Sequence, residues 1–285
     1  MVISEKNTER NILLIDCLDA KGLVPKATNV IFKHGLNIER NQEFVDQADE
    51  HFFMRSEIVG TADRELLLAD LAEAMPQDAN IRLKEKRKKR IVILATKEYH
   101  CLGDLLTRHQ FGDLNAEILA VVSNHEHLRD YCEKFGIPYH YVPTQGIGRE
   151  EHERAVLDTL EAYDFEYLVL AKYMRILSSE FIRHFEHRIV NIHHSFLPAF
   201  IGANPYRQAY DRGVKIIGAT AHIVTDDLDE GPIIYQDVTP VDHSFSPKEM
   251  ARAGRDVEKI VLAKALKIVF EDRCFISGNK TIIMR

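Results

Sequence analysis

A chain of 285 residues has room for two domains of ordinary size. With 45% hydrophobic and 28% charged residues it has the composition of a globular protein that buries a sizeable core. Its formal net charge of −7 argues against a surface that attracts nucleic acid, and its apolar runs, such as residues 11–18 and 167–171, are far too short to cross a bilayer.

The first 83 residues read as strand, helix, strand, strand, helix, strand. Residues 12–16 form a short apolar strand. Residues 23–34 follow as a helix that Gly35 ends. Residues 37–44 and 51–59 alternate like a hairpin, 64–74 is an amphipathic helix stopped by Pro76, and 81–83 closes the sheet. That order predicts a ferredoxin-like α+β domain over residues 1–83. Residues 84–90 (KEKRKKR) carry six positive charges and read as a solvated linker rather than a nucleic-acid or targeting signal.

Beyond the linker, over residues 91–285, strands alternate with helical patterns. Residues 91–95 (IVILA) form a continuous apolar run, as a buried parallel strand requires. Strands at 117–122, 139–142, 167–171 and 189–192 predict a doubly wound, mostly parallel α/β sheet. Such a sheet binds its ligand beyond the carboxyl ends of its strands. Residues 216–224 and 232–238 look like paired strands, 247–272 like a long helix, and Gly278-Asn279 like a small turn. The four cysteines, Cys17, Cys101, Cys132 and Cys274, are widely spaced and form no CxxC motif. They read as cytosolic thiols, and Met1–Lys6 lacks the apolar run of a signal peptide, so a cytoplasmic location is expected.

Two stretches carry chemistry. Asn191-Ile192-His193 begins at the end of an expected buried strand, and alternation puts Asn191 and His193 on one side of it. An amide N–H donor beside an imidazole suits attack on a carbonyl: one group stabilises the oxyanion and the other moves protons. From spacing alone a polar strand end with a satisfied histidine is the more ordinary reading. The second stretch, Thr225-Asp226-Asp227-Leu228-Asp229-Glu230-Gly231-Pro232, holds four carboxylates in five positions. It reads as a charged loop or as the source of a carboxylate that orients His193. It lacks the length and spacing of a calcium loop, and no metal-ligand set is evident in the sequence.

Together these stretches resemble the folate-dependent formyl-transfer family, in the order Met174-Arg175-Ile176-Leu177, Asn191-Ile192-His193 with Leu197-Pro198, and Asp229-Glu230-Gly231-Pro232-Ile233-Ile234. Three more runs are similar to its formyltetrahydrofolate deformylase branch: 193–202 (HHSFLPAFIG), 213–222 (GVKIIGATAH) and 97–104 (KEYHCLGD). The resemblance implies a formyltransferase-like catalytic domain behind an ACT domain. It implies hydrolysis of 10-formyltetrahydrofolate by Asn191, His193 and Asp229, with no metal or redox cofactor. It places the pterin against backbone of Met174, Arg175, Ile176 and Leu177 and of Thr225, Asp226, Asp227 and Leu228. It also implies a homo-oligomer and a small amino-acid effector at the ACT domain.

Departures from the transferases that use glycinamide ribonucleotide point to water as acceptor. Their Gly- and Ser-rich phosphate loop is replaced here by Thr96-Lys97-Glu98-Tyr99-His100-Cys101-Leu102. Glu98 would repel a phosphate, Tyr99 and His100 would fill the space, and His194 adds bulk beside His193. The run Asp16-Cys17-Leu18-Asp19-Ala20-Lys21-Gly22-Leu23 departs from the usual ACT turn and leaves effector binding open. A formyltransferase to an amine and an amino-acid-sensing regulatory protein are the alternative functions. Whether His193 or Asp229 takes the proton of the water is left open by the sequence.

Overall fold

The computed structural model describes residues 9–199 and 205–285. Met1–Lys6, and Phe200 to Gly202 of the His-rich run, lie outside the described residues. The chain divides into one unit of residues 1–87 with 283–285 and another of residues 88–282.

The first unit runs β1 (Arg10–Leu18), α1 (Leu23–Lys33), β2 (Asn37–Asp46), β3 (His51–Val59), α2 (Arg64–Ala74) and β4 (Asn80–Glu85). Its strands pair antiparallel in the order β2-β3-β1-β4, which is the expected ferredoxin-like arrangement. Strand alternation makes its core: Leu13 and Ile15 of β1 pack with Phe52 and Met54 of β3, Ala27 and Ile31 of α1, and Leu67 and Leu71 of α2. The Asp63 side chain accepts from the backbone N–H of Glu65 and Leu66 and so starts α2. At the other end Met75 is already extended, as a residue before proline should be.

The basic run is less of a linker than its charge predicts. β4 extends through Glu85, and β5 (Lys89–Ala95) begins at Lys89, so residues 86–88 alone separate the strands. Lys89 is buried, with Nζ 2.7 Å from Asp272 Oδ2. A buried ammonium persists only with a close countercharge, and this one draws the start of β5 into the second unit. Lys89→Met should therefore lower the unfolding free energy by about 1.5–3 kcal/mol, because the buried 2.7 Å charged contact with Asp272 is lost. A fall in the urea midpoint at unchanged m-value reads this effect, and an unchanged midpoint would contradict it.

The second unit continues with α3 (His100–Phe111), β6 (Ala116–Ser123), α4 (Arg129–Glu133), β7 (Tyr139–Tyr141), α5 (Arg149–Leu160), β8 (Tyr167–Ala171), α6 (Ser179–Arg183) and β9 (Ile189–His193). Then come α7 (Pro205–Arg212), β10 (Ile216–Ile223), β11 (Ile233–Pro240) and α8 (Pro247–Phe270). A hairpin of β12 (Cys274–Ser277) and β13 (Lys280–Ile283) turns at Gly278.

The seven-stranded sheet has the order β11-β10-β9-β8-β5-β6-β7. β5 to β9 are parallel, and β10 and β11 add antiparallel at one edge. The apolar run in β5 is explained by burial on both faces. Ile91, Ile93 and Ala95 enter one core with α3 and α8, while Val92 and Leu94 enter a second with α5 and α6. The chain leaves β5 toward β6 and β7, then returns to its other side at β8. The carboxyl ends of β5 and β8 thus flank a topological switch point, where a doubly wound sheet opens a crevice. α8 starts at a capping box of Ser246 and Glu249 with Pro247 in its first turn.

Candidate active site

The carboxyl end of β9 carries Asn191 and His193, and their register on β10 sets His222 opposite Asn191 and Thr220 opposite His193. His193 Nδ1 lies 3.2 Å from Asp229 Oδ2. Asp229 belongs to the loop between β10 and β11 and has a φ of 58°, in the left-handed region that aspartate tolerates better than most residues. Gly231 allows the loop to fold this tightly, since a Cβ there would stand 1.9 Å from the Ile223 carbonyl oxygen. Of the four carboxylates in the loop, Asp229 is the one aimed at His193.

Burial pushes the Asp229 carboxyl up, but the hydrogen bond from His193, with the His222 ring close by, more than reverses this. Its pKa lies well below the ordinary carboxylate range, and the group is an anion at neutral pH. The Nε2 atom of His193 is buried and has no hydrogen-bond partner among the described residues. His222 Nδ1–H donates to the Ile223 carbonyl at 2.9 Å, which leaves Nε2 to accept. That nitrogen is 3.2 Å from Asn191 Nδ2 and 3.7 Å from Asp229 Oδ1. The two contacts ask opposite roles of it. The shorter one and the Nδ1 hydrogen bond agree on acceptance, so one amide N–H of Asn191 is held by His222 and the other remains for a ligand.

These groups border a cavity of about 630 Å³. One side is lined by Met174, Arg175, Ile176 and Leu177, together with Thr225, Asp226 and Leu228. Asp227 is outside the lining, and its carbonyl accepts from the Thr225 hydroxyl at 3.3 Å. Glu98, His100, Lys172, His194, Tyr206 and Glu258 also line the cavity. The Tyr99 ring does not fill this space as expected. Tyr99 is the residue before α3, its side chain lies at the surface, and the first helical residue, His100, turns inward instead. His194 stacks on His193 with ring centroids 5.2 Å apart. Burial, then the Lys172 charge, lowers the His194 imidazole to about 4, so it is neutral at pH 7.

The fold also gathers a trio with metal-ligand chemistry, which sequence spacing does not show: His100, Cys101 and Glu258 have ligand atoms within 4.8 Å. Their surroundings favour a salt-linked core. The Lys172 ammonium is 3.1 Å from Glu258, and burial pushes the Cys101 thiol well up, so a cation would compete with an ammonium and a held proton.

The formyl transferase family matches residues 89–266. A formyltetrahydrofolate deformylase of Haemophilus influenzae is 52% identical over 97% of this chain and 99% of its own. One of Escherichia coli is 54% identical over the same shares. The chain belongs to the formyltetrahydrofolate deformylase family. A crystal structure of a formyltetrahydrofolate deformylase from Pseudomonas syringae pv. tomato superposes with a TM-score of 0.93 at 40% identity, covering 99% of this chain and 96% of that one.

In this deformylase-family site, sequence reasoning missed His222, Lys172, Tyr206 and Glu258. His222 and Thr220 sit within the run 213–222, so the run itself was the signal. Thr220 Oγ1 donates to the Ser195 carbonyl and accepts from Leu197 N–H, which fixes the turn that carries His194. Lys172, Tyr206 and Glu258 gave no comparable signal, because they come from three separate elements.

Proposed function

We infer that this chain hydrolyses 10-formyltetrahydrofolate to tetrahydrofolate and formate, a step of one-carbon metabolism that supplies formate for purine synthesis, with Asn191, His193 and Asp229 as its catalytic groups. The observation that carries this reading is the convergence of an ionised carboxylate, an imidazole with one unpartnered nitrogen and a half-free amide on one cavity. Met174, Ile176 and Leu228 are 59%, 59% and 53% exposed at that cavity and offer an apolar surface to the flat pterin ring.

Water adds to the formyl carbon. The developing oxyanion takes the free N–H of Asn191 and the Nε2–H of protonated His193. Asp229 fixes the ring through Nδ1 and orients or deprotonates the water, since a protonated His193 has no lone pair to take that proton. The carbon–N10 bond then breaks as N10 takes a proton, and formate leaves. An amide, an imidazole and a carboxylate supply every acid, base and donor this sequence needs, so the reading includes no metal or redox cofactor.

The same reading puts the enzyme in the cytoplasm, which four unpaired cysteines support; among the described residues no helix is long and apolar enough to cross a membrane. It makes the first unit an ACT-type regulatory domain for a small amino acid, supported by its ferredoxin-like order, and it makes the protein a homo-oligomer. The test is formate release from 10-formyltetrahydrofolate alone, repeated with single amino acids added. Tetrahydrofolate and formate formed in equal amounts without an acceptor are expected. A protein that leaves the substrate intact until an amine is supplied would overturn the reading.

A further inference from the structure

One wall of the cavity is built from buried side chains that this mechanism does not use. Glu258 of α8 is 1% exposed and takes three donors. His100 Nε2 and Lys172 Nζ are 2.8 Å and 3.1 Å from Oε2, and the Tyr206 hydroxyl is 2.5 Å from Oε1. The donors come from α3, from the end of β8 and from α7. Two backbone features hold the arrangement in place. Lys172 has a φ of 62°, a conformation rare for a residue with a long side chain. Gly254 leaves bare backbone inside α8, where a Cβ would lie 2.0 Å from the Tyr206 hydroxyl oxygen and 2.2 Å from the nearest ring carbon, Cζ. Glycine weakens a helix interior, so helix propensity is given up here and the Tyr206 ring is seated.

A line of contacts joins this wall to the reacting centre. His193 stacks on His194, the His194 ring is 6.2 Å from that of Tyr206, and Tyr206 bonds Glu258. Burial and the Glu258 charge push the Tyr206 hydroxyl up, so it stays a donor. Burial alone would raise Glu258, but His100 and Lys172 outweigh it and keep the carboxyl ionised. Oε2 already takes two donors and Oε1 takes the Tyr206 hydroxyl, which leaves an entering amine or sugar hydroxyl about one of the carboxylate's roughly four lone-pair sites, and the Lys172 ammonium repels a protonated amine.

We propose that the Tyr206–Glu258 pair, locked by Lys172 and His100, is the specificity determinant that denies an amine acceptor both space and a carboxylate, leaving water to reach the formyl carbon. The proposal rests on the hydrolase reading above. In hydrolysis the water oxygen bonds to the formyl carbon, the carbon–N10 bond breaks, one water proton ends on N10 and the other is released with formate. In the excluded reaction an amine nitrogen bonds to that carbon, the same bond breaks, and one amine proton ends on N10.

Hydroxylamine and glycinamide are suitable small amine probes. The full-length protein is given 10-formyltetrahydrofolate with each probe, and formate and formylated amine are both quantified. Tyr206→Ala should raise the ratio of formylated amine to formate by about tenfold or more over the wild type, the scale that removing a few apolar groups from a pocket has on selectivity. Tyr206→Leu keeps an apolar group against Gly254, removes the hydroxyl, and should move the ratio the same way if the alanine variant does not fold. A folded variant that releases formate at the wild-type ratio would overturn the proposal. Formate release by the wild type without amine, measured in the same series, separates failure of the hydrolase reading from failure of this one.

Discussion

Asp229→Asn is expected to lower kcat by about a thousand- to ten-thousand-fold in a protein that remains folded, the scale seen when a carboxylate that orients a catalytic imidazole is neutralised. Asparagine keeps the shape and can still accept the His193 Nδ1–H, so steric disruption is not the cause. What is lost is the negative charge 3.2 Å from the ring, which stabilises the imidazolium form. KM should change little, because the pterin segments are untouched. The stability effect has a definite sign. The folded-state pKa of Asp229 is depressed, so its contribution is fully present above the ordinary carboxylate range and is lost as pH falls through the depressed value. The variant should therefore be somewhat less stable than wild type at pH 7 and lose less of its stability on strong acidification. Near-wild-type kcat in folded Asp229→Asn would remove Asp229 from the mechanism.

Asn191→Ala should cost about a hundred- to a thousand-fold in kcat, the usual consequence of deleting one oxyanion donor. The donor acts on charge that develops in the transition state, so kcat and kcat/KM should fall together. His222 sharpens the expectation. Its Nε2 holds one amide N–H, so the amide is oriented before substrate arrives. A rise in KM at unchanged kcat would show that Asn191 binds the ground state instead.

The strands and long helices were readable because their burial is regular. The IVILA run of β5 is apolar throughout since both faces are covered, and α8 announces itself with Ser246-Pro247 and Glu249. In the basic run charge misleads at Lys89, which is buried and pairs with Asp272, far away in the chain, while residues 85–88 are exposed and the two units divide between 87 and 88. Strand alternation puts Asn191 and His193 on one side of β9, but their role as site residues, like the choice of Asp229 among four loop acids, comes from family resemblance; the physical reason for Asp229 lies in its left-handed backbone and in Gly231. Glu258 was invisible: as one charged residue on an amphipathic helix it looks solvated, and its partners lie 158, 86 and 52 positions away. Tyr99 is expected in the cavity because its bulk stands where the transferases have their phosphate loop, but the residue before a helix and the first residue within it point differently, and here His100 turns inward.

In the proposed hydrolysis, water, not an amine, receives the formyl group. The most direct measurement gives the protein 10-formyltetrahydrofolate together with glycinamide ribonucleotide at millimolar concentration and follows formate and formylated ribonucleotide over the same time course. Formate in step with tetrahydrofolate, no formylated ribonucleotide, and no slowing of formate release by the ribonucleotide are expected. Formylated ribonucleotide appearing at a rate near that of formate would contradict the hydrolysis.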